Sequence, residues 1–356
     1  MSESSKPFEK KSFEKRKQDH IRIALDPRSQ AEGLSGLSQV QLIHEALPNM
    51  NFKEVDASTS FFSRGMSKPL SAPFFISSMT AGHEKAFDIN SRLAQLSAEK
   101  QILMGVGSQR RELMDSEAQL EWKKIRQQAP KALLLGNVGI AQVIQTPVDC
   151  VQALVDSLEA EALFIHLNPL QECLQPEGTP EFRGGYAAIE SLVKKLSVPV
   201  IVKEVGCGFS KGTLQRLYNS GVFAVDVSGL GGTHWGRVEG YRSQPEELLF
   251  QIAQTFENWG LSTVQSLLDA KEIDEKKPVW ASGGVRDGLQ AVKLLAMGAD
   301  MVGLAQPWLK AALESSEAVN VLYEKLLLEV KIAMFCTGVQ KLEDFRTKRV
   351  WKWHEH

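Results

Sequence analysis

The sequence predicts an α/β protein built on a (β/α)8 TIM barrel, and three observations carry that expectation. Eight short apolar segments recur, at Pro73–Met79, Ile102–Val106, Ala132–Asn137, Ala162–Asn168, Pro199–Val205, Val222–Ser228, Pro278–Ser282 and Met301–Ala305. Helix-period patterns lie between them, for example Asn90–Lys100, Pro147–Leu158, Tyr186–Leu196, Lys211–Tyr218 and Gly288–Met297. The strand segments are near-continuous apolar runs, as expected for parallel strands covered on both faces. An open doubly wound sheet is the alternative, and it usually uses fewer strands. A length of 356 residues suits a single barrel with extensions.

The flanking regions follow from composition. Residues 1–12 are polar and predicted to be disordered. Residues 13–72 form an N-terminal arm that starts with the basic segment Lys15–His20 and includes a predicted short helix at Gln39–Leu47. The barrel is expected over 73–310. Its long insertion, 230–265, is Gly-rich at its start and reads as a lid or binding segment. Residues 311–356 form a helical extension ending in the basic, Trp-bearing tail Lys348–Trp353, expected to pack on the barrel or on a neighbouring subunit.

A net charge of −2 gives no reason to expect a nucleic-acid partner. No apolar run is long enough to span a bilayer, and the start Met1–Lys6 lacks the apolar core of a signal peptide. The four cysteines have no metal-ligand spacing. Reduced thiols in a cytoplasmic enzyme are the plain reading.

In such a barrel the chemistry sits at the C-terminal ends of the strands. The fourth strand ends in His166-Leu167-Asn168-Pro169-Leu170-Gln171-Glu172. Residues two apart on a strand share a face, so Phe164, His166 and Asn168 point the same way. Pro169 forces the chain out of the sheet. A lone histidine there is more often a satisfied core residue, but four polar groups in seven residues favour a site. Lys203 stands within Val200-Ile201-Val202-Lys203-Glu204 and needs an electron-rich partner. A pair with Glu204 is disfavoured because adjacent strand residues face opposite ways. Gly283-Gly284-Val285-Arg286 after strand seven and Gly303-Leu304-Ala305-Gln306 after strand eight fall where barrels bind phosphate at helix N-termini. Ser228 and Thr233 flank a Gly-rich turn that could add a phosphate or ring-edge contact. The turn at Ser77–Gly82 has small residues that admit a flat ring. A dinucleotide-binding fingerprint is absent.

Together these residues resemble the flavin-binding barrels and, more narrowly, the FMN-dependent type 2 isopentenyl diphosphate isomerases. The likeness runs from Arg16 to about Leu309. It rests on Arg16-Lys17-x-x-His20-Ile21, Ser78-Met79-Thr80-x-Gly82, Gly107-Ser108-Gln109-Arg110, Gly136-Asn137, His166-Leu167-Asn168-x-x-Gln171-Glu172, Lys203-Glu204-x-Gly206, Gly229-x-Gly231-Gly232-Thr233 and Ser282-Gly283-Gly284-Val285-Arg286. The resemblance implies interconversion of isopentenyl and dimethylallyl diphosphate with FMN and Mg²⁺, NADPH reducing the flavin, in a tetramer or octamer. It implies FMN contacts at Met79, Thr80, Ala81, Ser108, Asn137, Lys203, Ser228, Thr233, Gly283, Gly284, Val285, Arg286, Ala305 and Gln306. Substrate contacts are implied for Arg16, Lys17, His20, Ser108, Gln109, Arg110, His166, Asn168 and Gln171. Gln171 would be catalytic and Glu172 would hold Mg²⁺. Ala81 departs from the glycine of many relatives and slightly tightens the approach to the flavin.

An FMN-dependent 2-hydroxy-acid oxidase is the competing enzyme. It needs a histidine base, for which His234 could be offered, but it leaves the His166–Glu172 cluster without a task. A phosphometabolite-binding regulatory barrel would need neither Lys203 nor Glu172.

Overall fold

The computed structural model describes residues 7–80, 84–113 and 118–354. Helix α1 (Pro7–Ala24) leads to β1 (Val40–Leu42) and the hairpin β2 (Thr59–Ser63) and β3 (Met66–Leu70). The barrel then runs β4 (Phe74–Ile76), α2 (Glu84–Lys100), β5 (Leu103–Gly105), α3 (Gln119–Gln128), β6 (Leu133–Gly139), α4 (Ile140–Gln145), α5 (Val148–Leu158) and β7 (Ala162–His166). It continues with α6 (Pro169–Leu174), α7 (Gly185–Lys195), β8 (Val200–Lys203), α8 (Lys211–Asn219), β9 (Ala224–Asp226), α9 (Trp235–Gly240), α10 (Leu248–Thr255) and α11 (Thr263–Ile273). The last elements are β10 (Val279–Ala281), α12 (Gly288–Ala296), β11 (Met301–Leu304), α13 (Gln306–Glu314), α14 (Ser316–Cys336) and β12 (Trp351–Trp353). Strands β4 to β11 close in sequence order into the eight-stranded parallel barrel that the apolar runs predict.

The two-residue period of the strands sorts their side chains. Phe74, Ile76, Met104, Leu134, Leu163, Ile165, Val200, Val202 and Val225 point outward and pack with the helices in one continuous core. Their neighbours Phe75, Leu103, Leu135, Phe164, Ile201, Ala224, Trp280 and Met301 point inward and fill the barrel. Phe75 and Trp280 lie 4.9 Å apart between ring centroids, and Phe164 is 5.8 Å from Trp280 and edge-on to it. Full burial stabilises each such ring by about 1.5–3 kcal/mol. Two residues further along each strand comes a second ring of side chains: Ser77, Gly105, Asn137, His166, Lys203, Asp226, Ser282 and Gly303. The aromatic layer is therefore a floor, and the polar groups stand directly on it.

The hairpin seals the other end. Phe61 packs edge-on to Phe223 and Trp280, Ser63 Oγ donates to the Glu161 carbonyl at 2.6 Å, and Lys68 pairs with Glu161 at 2.9 Å. Two local expectations change. Helix α1 begins at Pro7, inside the stretch expected to be disordered, while residues 1–6 lie outside the described residues. Gln39–Leu47 is not a helix: Val40–Leu42 pairs antiparallel with Trp351–Trp353 of the tail. The pleated pair suits β-branched Val40 and the edge-on Trp351–Trp353 rings better than a helical turn would. The long insertion holds two short helices, α9 and α10, and the start of α11.

A methyl at Gly303 would sit 2.5 Å from Phe75 Cζ and 2.8 Å from Ser282 Cβ. Gly303→Ala is expected to destabilise the protein by about 1–3 kcal/mol through overpacking, read as a lower denaturant midpoint. An unchanged midpoint would show that the floor can yield.

Candidate active site

Strand β7 delivers Phe164 to the floor and His166 to the ring above it. The chain then turns at Asn168, which precedes α6 with Pro169 in its first turn. His166 Nδ1 lies 2.9 Å from Asn137 Oδ1, and Asn137 Nδ2 donates to the Val106 carbonyl at 3.1 Å. Asn137 thus offers its oxygen, so Nδ1 carries the proton and Nε2 keeps a lone pair. Burial first, then Lys203 and Lys17, lower the His166 pKa to about 3. Asn168 Nδ2 donates to Gln171 Oε1 at 3.1 Å and to Glu172 Oε1 at 2.9 Å. Glu172 Oε2 accepts the Thr179 N–H at 2.6 Å. Gln171 Nε2 donates to Glu239 Oε1 at 3.2 Å. Asn168, Gln171, Glu172 and Glu239 are thereby linked to one another, while His166 is held separately by Asn137.

Helix α1 brings Arg16, Lys17 and His20 to the same cavity. His20 Nε2 is 2.9 Å from Glu239 Oε1, and the His20 ring stands edge-on to Trp235 at 5.1 Å. Glu239 is buried on α9 and also accepts from Arg242 at 2.5 Å, so one carboxylate ties the arm, α6 and α9 together. Loss of solvation, then Arg16, draws the Lys17 ammonium down to about 8. A ligand of high negative charge would restore it.

The facing wall is built from backbone. Gly283 and Gly284 have φ of +102° and +83°, and a Cβ on Gly284 would lie 2.4 Å from the Gly231 carbonyl oxygen. Two glycine turns therefore touch, forming a shallow cradle that side chains would fill. Helix α12 starts at Gly288, where the sequence places it, with Asp287 as its cap. The first turn of α13, behind Ala305 and Gln306, has no side-chain cap, which leaves its N–H groups available to an anion. Arg286 reaches Gln30 Oε1 at 2.5 Å, which Thr233 Oγ1 also contacts at 3.3 Å. The hydroxyls of Ser77, Ser78 and Thr80 are buried with no hydrogen-bond partner among the described residues. Those orphaned donors and the bare cradle fit a flat, polar, phosphate-bearing cofactor such as FMN.

Ser108, Arg110, Met79, Ser228, Val285 and Lys203 complete the wall of a cavity of about 1290 Å³, counting its open mouth. Lys203 Nζ donates to the Glu204 carbonyl at 2.7 Å, while the Glu204 carboxylate turns away to accept the N–H groups of Val205, Gly206 and Cys207. Burial lowers the Lys203 pKa, opposed first by Asp226 and then by Glu204. Thr80 lines an adjoining apolar annex with Ile21, Ala24 and Leu309. Ala81 lies outside the described residues. Gln109 is the departure: it is buried off the cavity wall, and its Oε1 accepts the Asn137 N–H at 3.1 Å. It braces the loop after β5 against β6, because its side chain faces away from the side that Ser108 presents.

Gln30, Gln142, Gln175, Trp235 and Glu239 also shape the site. Sequence reasoning missed them, since they lie in α4, at the end of α6, in the arm and in the insertion rather than on the strands themselves. No group of three or more His, Cys, Asp or Glu among the described residues forms a metal cage. A single wall carboxylate, Glu172, suits a hard cation that takes its other oxygens from phosphate and water.

The His166 pKa implies a stability effect. Because the folded value, about 3, lies below the ordinary 6.5, protons favour the unfolded chain between them. This contribution is fully present above 6.5 and is lost progressively as pH falls toward 3. NMR of the histidine ring is expected to show neutral imidazole at pH 5 in the free protein. A midpoint near 6.5 would overturn the buried, Nδ1-protonated assignment.

Comparison with known proteins agrees with this geometry. Residues 141–352, more than half of the chain, match the family described as FMN-dependent dehydrogenase. The isopentenyl-diphosphate delta-isomerase of Bdellovibrio bacteriovorus is 63% identical over 338 residues, covering 95% of this chain and 97% of that protein. The isopentenyl-diphosphate delta-isomerases of Legionella pneumophila and of a Nostoc species are 52% and 42% identical, covering 94% and 93% of this chain and 97% and 93% of their own lengths. Among solved structures, a lactate oxidase of Pediococcus acidilactici superposes with a TM-score of 0.68 at 17% identity, covering 98% of this chain and 95% of its own. A flavocytochrome b2 gives 0.67 at 17%, covering 97% and 85%. At such identities the solved structures speak to the fold alone. The sequence relatives, similar over nearly their full lengths, decide the family: this chain belongs to the FMN-dependent dehydrogenase family and, within it, to the isopentenyl-diphosphate delta-isomerases.

Proposed function

We propose that the protein interconverts isopentenyl diphosphate and dimethylallyl diphosphate by a 1,3-allylic proton shift, using reduced FMN and Mg²⁺. The observation that carries this reading is the convergence of two chemistries in one cavity. The glycine cradle, Lys203 and the orphaned hydroxyls form one wall; Arg16, Lys17, His20 and the His166–Glu172 cluster form the other. In this reading the cradle and the first turn of α13 hold the FMN phosphate, with Met79, Thr80, Ser108, Asn137, Ser228, Thr233 and Arg286 around the remainder. Lys203 offsets negative charge on the pyrimidine edge. Reduced FMN, when bound, supplies the acid–base centre that a double-bond shift requires.

The substrate's diphosphate is assigned to Arg16, Lys17, His20, Arg110 and Asn168, with Glu172 holding Mg²⁺ against it. His166 in its neutral form offers a lone pair at Nε2, so it serves a hydrogen-bond donor or a water unless the ligand brings it a proton. Gln171, its amide fixed between Asn168 and Glu239, orients the alkene. Helix α1 and Trp235 cover the hydrocarbon and keep bulk water from it. NADPH is the proposed reductant, the cytoplasm the proposed location, and a tetramer or octamer the proposed assembly. No helix among the described residues is long and apolar enough to cross a membrane.

The hydroxy-acid oxidase reading loses its base. His234 is fully buried, its Nδ1 accepting the Arg237 N–H and its Nε2 donating to the Trp259 carbonyl at 3.0 Å.

Glu172→Gln is expected to leave FMN affinity within about twofold while reducing turnover at least about a hundredfold, the scale of a lost interaction worth roughly 2.7 kcal/mol or more. Full activity at limiting Mg²⁺ would place the metal elsewhere. The test of the whole reading is anaerobic: reduce the holoenzyme once, remove the reductant, and count turnovers. Many turnovers per flavin with an unchanged final spectrum are expected. Stoichiometric flavin oxidation, equal activity of the oxidised form, or bleaching by a hydroxy acid would defeat it.

A further inference from the structure

We propose that Asp226 is a positioning residue for the cofactor: a buried anion, held by Ser282, that balances the Lys203 ammonium and so sets the reduction potential of a flavin lying over it. The inference rests on the reading that Lys203 faces the flavin.

The strand register makes the arrangement. Lys203 of β8 and Asp226 of β9 are direct partners in the parallel ladder, and both follow inward-facing floor residues, Ile201 and Ala224, by two. They therefore stand side by side on the floor. Ser282, two residues beyond Trp280 on β10, donates its hydroxyl to both Asp226 oxygens, at 2.8 and 3.0 Å. Lys203 and Ser282 line the cavity; Asp226 does not, and it is fully buried. A ligand can feel Asp226 only through Lys203 and through its field.

A carboxylate there needs a reason. Burying an ion costs several kcal/mol even after relaxation. The Ser282 hydroxyl and the backbone N–H groups of Ser228 and Ser282 offset part of that cost, but a neutral asparagine of the same shape could keep a bond with Ser282 without it. What it cannot do is answer the Lys203 charge, which the lysine's bond to the neutral Glu204 carbonyl leaves intact. In a water-poor interior, charges act strongly over several ångströms. The Asp226–Lys203 pair is mutual: each is the leading charge opposing the effect of burial on the other. An uncompensated Lys203 would favour the added negative charge of a reduced ring more strongly than a compensated one. The potential thus reflects both groups.

The test compares midpoint potentials of FMN-loaded wild type, Asp226→Asn and Lys203→Met at pH 6, equilibrated anaerobically against a reference dye. Asp226→Asn should favour reduction about tenfold, which is about 30 mV for a two-electron couple, and Lys203→Met should shift the other way. A Lys203→Met shift with no rise in Asp226→Asn overturns the role of Asp226 alone. No shift in either variant overturns the reading beneath it, that Lys203 faces the flavin. A structural Asp226 would weaken FMN equally in both oxidation states and leave the midpoint in place. Should Asp226→Asn fail to fold, Asp226→Ser removes the charge with less bulk, and infrared spectra of aspartate-labelled wild type remain decisive. An ionised buried carboxylate supports the proposal, and a protonated one overturns it.

Discussion

The two-residue period of a parallel strand, imposed eight times over, is the constraint on which the rest of this structure depends. It places Phe75, Phe164, Trp280 and their neighbours in one layer and Ser77, Asn137, His166, Lys203, Asp226 and Ser282 in the next. The layers cannot exchange, because shifting a strand by one residue would turn its floor residue toward the helices. The aromatic floor keeps water from below, so every polar group above it is solvated by its neighbours or by a ligand. That explains both the low pKa of His166 and the orphaned hydroxyls of Ser77 and Ser78. It also explains the gaps in the polar ring. Gly105 and Gly303 lie where a methyl would collide with Phe164, Phe75 or the serine side chains.

The upper side of the cavity is closed by less regular means. Arm, insertion and α6 come from separate parts of the chain and meet at Glu239. A buried carboxylate with His20, Gln171 and Arg242 around it is stabilised only while all three stay in place. Its loss would leave three polar groups short of a partner, so ordering of the arm is coupled to the orientation of the Gln171 amide. The floor bounds the cavity from below, and the Glu239 junction holds the basic arm over it.

What could be read from the sequence follows this division. The eight strands were legible because apolar runs bounded by glycine and polar residues report a doubly covered strand. The polar groups at their ends were legible because a barrel places them there. His166, Lys203 and Gly284 come to one cavity for that reason. Gln109 misled, since a motif names adjacent residues without saying which side of the loop each faces. Glu239 and Gln30 were invisible: nothing in a short helix such as Trp235–Gly240, or in a polar arm, signals burial against a distant partner. The pairing of Val40–Leu42 with Trp351–Trp353 was hidden for a related reason, because its partners are separated by nearly the whole chain.

The same fold occurs in a protein named as a lactate oxidase, so the barrel by itself does not choose the reaction. The choice lies in what the loops bring over the polar ring. In this chain His234, the residue that could have served as an oxidising base, caps α9 and bonds to the Trp259 carbonyl, and burial lowers its pKa. Its next neighbour Trp235 takes the cavity-facing position and packs against His20 of the arm. One turn of backbone therefore exchanges an imidazole for an aromatic wall. A site closed by that wall favours an apolar group beside the ring, while the cations of the arm favour an anion at the other end, which in the proposed reading is a diphosphate held with a metal ion at Glu172. The proposed substrate, with a hydrocarbon head and a diphosphate tail, meets both demands, whereas a small hydroxy acid offers the arm a single carboxylate and the aromatic wall little apolar surface.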